Sequence, residues 1–183
     1  MNINRILHLH QAQEEKNGSY VLYWMQQSQR IHFNHALLHA IQIANQKKLP
    51  VLIYFGLTEN YPEAQIRHYQ FMLEGLKEVQ EEAEKIGLGF VIELGDPIKG
   101  LEKYFDDAAF FIMDFGHLKV PRQWRKNVLN LIKTQYKNLS CDMVESDLIV
   151  PSYIASNKKE YGAYTIRPKL HRQLPFYRDF VKL

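Results

Sequence analysis

The chain has 183 residues, 46% of them hydrophobic and 23% charged, which is enough for one ordinary core and too apolar for a disordered segment. A formal net charge of +3 does not by itself argue for nucleic acid, because phosphate binding needs clustered cations. The single cysteine, Cys141, excludes an internal disulfide framework, and no apolar run reaches the roughly 20 residues of a membrane span, so the expectation is a cytoplasmic protein without a membrane partner.

Residues 1–19 read as a polar lead-in, in which His8 and His10 alternate without further signal. Tyr20-Val21-Leu22-Tyr23-Trp24-Met25 is a short apolar run of β-formers and predicts a strand buried on both faces. Asn34 to Lys48 has the apolar spacing of a helix, and Val51 to Leu57 is a second strand. A longer helical pattern runs from Pro62, suited to a first turn, to Ile86, with Gly87 suited to a C-terminal cap. Gly89 to Leu94 is a third strand, followed by a short helix over Ile98 to Phe105. Ala109 to Met113, running into Asp114, is a fourth strand; Pro121 opens a helix to about Tyr136, and Ser140 to Val144 is a fifth.

Apolar strands separated by helical crossovers predict a three-layer α/β/α domain over residues 20–151 with a five-stranded parallel sheet. Residues 152–183 differ: Lys158, Lys159, Arg167, Lys169, Arg172, Arg178 and Lys182 outnumber Glu160 and Asp179, and Pro168 and Pro175 should interrupt any long helix. This segment reads as a basic tail or linker.

Open parallel sheets bind ligands beyond the carboxyl ends of their strands. The loops there hold Gln26, Gln29, Arg30, Asp114, His117, Lys119, Glu145 and Asp147, a set able to orient a polar aromatic ligand. No Gly-x-Gly-x-x-Gly follows the first strand and no phosphate-loop Gly-Lys-Ser/Thr is present, so dinucleotide and triphosphate readings lose their main support. His32, His35 and His39 have helical spacing but no His-Glu-x-x-His context, which favours a half-buried histidine stripe over a zinc site. Cys141 falls in a buried strand, where a thiol acts as a small hydrophobe.

Four ordered stretches resemble the N-terminal domain of class II DNA photolyases. They are Tyr20 to Arg30 continuing to Leu37, Phe55 to Thr58 with Arg67 to Leu76, Asp114 to Lys119 with Trp124-Arg125, and Val144 to Pro151 leading to Thr165-Ile166-Arg167-Pro168-Lys169. The resemblance implies a Rossmann-like domain that holds a light-harvesting antenna, in this class a deazaflavin, with Gln26, Arg30 and Asn34 on one side and Asp114, His117 and Lys119 on the other. It implies that catalytic FAD sits in a separate helical domain, where light-driven carbon–carbon lyase chemistry repairs damaged DNA. The expectation is therefore that this chain alone does not repair DNA, and that a FAD-domain protein or a second copy docks through residues 152–183. His117, Lys119 and Tyr164 stand where the family tends to have Tyr, Arg and Arg. Two alternatives stay open: an interaction module that has lost its ligand, and another nucleotide-binding α/β protein.

Overall fold

The computed structural model describes residues 2–178. Its strands are Ile6–His10 (β1), Tyr20–Trp24 (β2), Val51–Leu57 (β3), Gly89–Leu94 (β4), Ala108–Asp114 (β5) and Cys141–Val144 (β6). Its helices are His35–Lys47 (α1), Ile66–Lys85 (α2), Pro97–Glu102 (α3), Lys119–Gln135 (α4), Ser152–Ala155 (α5) and Ala163–Gln173 (α6). The strands form one sheet in the order β1-β6-β5-β2-β3-β4.

The central strand β2 shows why the sheet has two covered faces. Side chains alternate along a strand, and both sets here are apolar. Val21, Tyr23 and Met25 join a core with α1 and α2, including Leu37, Ala40, Leu76 and Val79. Leu22 and Trp24 join the opposite core with α3 and α4, including Leu101, Val128 and Ile132. The chain leaves β2 through β3 to β4 on one side, then returns to β5 and β6 on the other, so the strand order reverses between β2 and β5.

The sheet has six strands rather than the expected five, because part of the lead-in is a strand. β1 runs antiparallel to β6, with Ile6 opposite Val144 and His8 opposite Asp142. Its imidazoles are polar but bonded: His8 Nδ1 lies 2.8 Å from Asp142 Oδ1, and His10 Nε2 2.8 Å from the Lys137 carbonyl. A hydrophobic pattern does not register an edge strand whose outward side chains find tertiary partners.

α2 starts at Ile66 rather than Pro62. Glu63 has φ of +63°, a left-handed conformation that a helix cannot carry, and Gln65 with His68 forms a capping box just beyond it. Gly87, with φ of +77°, terminates the helix as expected. Pro168 does not interrupt α6 but lies inside it. The bond it cannot make would go to the Tyr164 carbonyl in the first turn of a helix with no buried residue, where water can serve instead. Asp179 and Lys182 of the basic tail lie outside the described residues. No described helix is long and apolar enough to cross a membrane.

Candidate functional site

Asp114 ends β5 at the reversal of strand order. Its carboxylate accepts the backbone N–H groups of Gln26, Gln27 and Ser28, each at 3.0 Å, and the Tyr23 hydroxyl at 2.7 Å. Three consecutive amides converge on one oxygen, and this bends the chain sharply after β2. Burial nevertheless pushes the Asp114 carboxyl above its ordinary range, outweighing the hydrogen bonds from Gln26, Ser28 and Tyr23. The Tyr23 hydroxyl is pushed up in turn, by burial first and by the Asp114 charge second.

Asn34 completes the turn from the other side. Its amide donates to Tyr23 Oη and to the Ser28 and Arg30 carbonyls, while its Oδ1 caps α1 at the Leu37 N–H, 3.0 Å away. Arg30 reaches Asp147 Oδ1 at 3.1 Å and the Ser146 carbonyl at 3.2 Å, tying this loop to the one after β6. His117 shares a 2.9 Å hydrogen bond with Glu145, a carboxylate with no exposed surface that also accepts from the Ser152 N–H and hydroxyl. Lys119 opens α4 and is exposed.

Above this scaffold lies a cleft of about 290 Å³. Its floor is the end of β2 and β3, from Trp24 to Gln27 and Phe55 to Thr58. α2 brings Tyr69 and Met72 from one face, and α4 brings Pro121 and Trp124 from the other. Tyr61 and Trp124 meet edge to face across the mouth, with ring centroids 6.0 Å apart. Of the six residues singled out from the sequence, Gln26 is in the wall. Arg30, Asn34, Asp114, His117 and Lys119 are not; the first three hold the turn that carries Gln26, and the last two lie in and beyond the loop after β5.

Gln26 itself is unusual. Both its Nε2 and its Oε1 are buried, and neither has a hydrogen-bond partner. A buried amide left without partners costs about 1–3 kcal/mol per group, so an orphaned donor and acceptor side by side in a cleft wall point to a ligand with a complementary edge. The aromatic walls supplied by Tyr61, Tyr69 and Trp124 were not legible beforehand as a site. Tyr69 sat in an ordinary helical apolar pattern, which carries no signal that its ring lines a cleft.

Comparison with known proteins gives a consistent result. The family model for DNA photolyase matches residues 21–180. The chain is 40% identical over 174 residues to a deoxyribodipyrimidine photo-lyase of Methanothermobacter thermautotrophicus, covering 95% of this chain and 38% of that one. It is 39% identical over 158 residues to the enzyme of the same name from Potorous tridactylus, covering 85% of this chain and 29% of the other. The chain thus spans well under half the length of these relatives. Among solved structures, a bacterial class III photolyase from Agrobacterium tumefaciens superposes with a TM-score of 0.67 at 16% identity, over 89% of this chain and 33% of that one. An archaeal photolyase from Sulfolobus tokodaii, crystallised with two FAD molecules, gives a TM-score of 0.67 at 13% identity over 83% of this chain and 34% of that one. At such identities these two speak for the fold alone.

Proposed function

The chain belongs to the DNA photolyase family, and we propose that within it this domain is of the class II type and binds a flat light-harvesting chromophore, a deazaflavin, in the cleft over β2 and β3. The carrying observation is the orphaned Gln26 amide in a cleft whose wall also carries the rings of Phe55, Tyr61, Tyr69 and Trp124. Such walls stack a planar ring, and a flavin-type pyrimidinedione edge offers the N–H and C=O groups that would satisfy the amide. The class II assignment is supported by the four ordered motifs.

Absorbing light is one task and splitting a pyrimidine dimer another. The latter needs a reduced flavin beside a dimer of adjacent pyrimidines extruded from the duplex. A cleft of about 290 Å³ has room for one tricyclic ring system and not for both partners of that reaction. Residues 1–183 by themselves therefore should not repair dimer-containing DNA under light, even with FAD added. Catalytic FAD would come from a helical domain, and damaged DNA would be met only in its company. Tyr161, Tyr164 and Phe176, exposed at 90%, 80% and 70%, supply the apolar part of a surface through which such a domain or a second copy would dock.

Titration with a deazaflavin tests the chromophore reading directly. Saturable binding with quenching of Trp124 fluorescence is expected, and Gln26→Leu should weaken it tenfold or more, because an apolar residue cannot pair with the ring edge. Absence of any saturable binding would sink it.

A further inference from the structure

Helix α2 carries a stripe that neither the sheet nor the cleft uses. Leu76, Val79 and Ala83 are buried beneath the helix, and Tyr69 and Met72 line the cleft. Roughly a third of the way round the helix, Arg67, Phe71, Gly75, Glu78 and Glu82 are all solvent-facing or open. Their spacing of four, four, three and four keeps them on one face. Phe71 is 81% exposed and joins none of the hydrophobic clusters. One turn further on, a Cβ added at Gly75 would meet nothing within 4 Å. Nothing inside the chain therefore calls for glycine in the middle of a 20-residue helix, where it costs stability relative to alanine.

The charges on this stripe are unanswered within the chain. Arg67, Glu78 and Glu82 make no ion pair or side-chain hydrogen bond among the described residues, whereas the neighbouring Gln70 and Glu74 bond to each other. Glu78 and Glu82 are four residues apart, where like charges on a helix repel. The stripe is thus cationic and aromatic at its N-terminal end and small, then acidic, toward the other.

Reversed, such a stripe complements itself. A two-fold axis level with Leu73 would set Phe71 of one copy opposite Gly75 of the other. At about 1.5 Å of rise per residue, Arg67 lies roughly 9 Å from that level on one side, and Glu78 and Glu82 roughly 7.5 and 13.5 Å on the other. An antiparallel copy therefore places Arg67 between the two carboxylates. We infer that α2 is a contact between two copies of this chain, paired antiparallel, with each Phe71 ring seated over the Gly75 of the other copy. The bare glycine lets the helices approach closely, the ring leaves water, and Arg67 answers both glutamates across the axis. One helix pair is a small interface of the transient kind, so association is a feature of high protein concentration. This face is separate from the one bearing Tyr161, Tyr164 and Phe176.

Sedimentation velocity of the intact chain at rising concentration should show a reversible monomer–dimer equilibrium that weakens with added salt. Phe71→Ser, at an exposed position, should weaken it tenfold or more. Gly75→Leu should do the same by filling the seat, and leucine favours the helix, so loss of fold would not be the cause. Arg67→Glu should also weaken it, and Glu78→Arg added to that variant should restore most of the lost affinity, because both charges are then reversed. Glu74→Cys, near the axis, should cross-link two copies on mild oxidation, Cys141 being buried. Lys85→Cys, roughly 18 Å along the helix from the axis, should not. A chain that stays monomeric at every concentration overturns the inference. So does a dimer that survives Phe71→Ser but is lost when Tyr161 and Tyr164 are replaced by serine, which places the contact around α6. A dimer broken by Arg67→Glu and not mended by Glu78→Arg overturns the antiparallel pairing.

Discussion

Asp114 has essentially no contact with water, and what keeps it there is local: three amides and a phenol surround its two oxygens. Removing the carboxylate strands four donors in a buried site. Asp114→Ala is expected to lower stability by about 3 kcal/mol or more, at the upper end for one broken buried network, measured by urea unfolding. The same substitution should abolish chromophore binding, since the turn that aims Gln26 into the cleft has no other anchor on β5. A loss below about 1 kcal/mol would mean that the loop holds its shape without Asp114. The identity of Asp114 as a site residue could be read from its position at a strand end; its role as a brace rather than a wall could not, because nothing in the sequence says which way a loop carboxylate turns.

Edges and close approaches govern the elements. Asp142 on β6 is bonded at once by His8 from β1, at 2.8 Å, and by His39 from α1, at 2.7 Å, so one carboxylate fastens the edge strand and a helix to the same sheet position. Asp142→Ala should cost about 2–3 kcal/mol and raise amide exchange selectively in residues 6–10; uniform exchange across the sheet would argue against a local fastening. Gly18 marks a different constraint at the entry to β2. A Cβ there would lie 2.3 Å from the Ala109 nitrogen and 2.5 Å from the Ala108 carbonyl carbon, both backbone atoms that cannot turn aside. Gly18→Ala should therefore force β2 and β5 apart at their start and destabilise by roughly 1–3 kcal/mol, as overpacking does, visible as a lower urea midpoint. The five parallel strands and the helices between them were legible because each buries an apolar set with a regular period. β1 was not, because His8 and His10 break its apolar run: Ile6 and Leu9 pack against the two cores, but the histidines are held by partners distant in sequence.

On the scale of the whole molecule, α5 and α6 form a satellite: Val150, Ala155 and Tyr177 make a small cluster separate from the two cores that flank the sheet. Arg5 bridges it to the sheet by donating to the Leu148 carbonyl at 2.8 Å and lying over the Tyr177 ring. Within the satellite, Glu160 accepts from Lys169 and from the Ser156 hydroxyl, and the Lys169 bond foremost holds its carboxyl down to about 2. A carboxyl depressed on folding adds stability above its ordinary value of 4.5, and that contribution is lost as pH falls through 4.5 toward about 2. Amide exchange in α6 should therefore rise over that interval while the central strands stay protected. In Lys169→Met the pH dependence should flatten. If α6 and the central strands open together on acidification, the satellite is not an independent unit.

What the amino-acid sequence determined by itself was the layered α/β architecture, the order of its central elements and the end of the sheet where the cleft opens, because burial period and turn chemistry are local properties written along the chain. The family resemblance was equally legible, since four motifs lie in register from Tyr20 to Lys169. Only the tertiary structure decided which of the polar residues at that end face the cleft. Gln26 is left without partners in the wall, whereas Arg30, Asn34 and Asp114 spend their hydrogen bonds holding it there. That division depends on which groups find partners across distant segments, and the pairing of residues 26 and 114 is a property of the folded sheet end, not of any stretch of sequence.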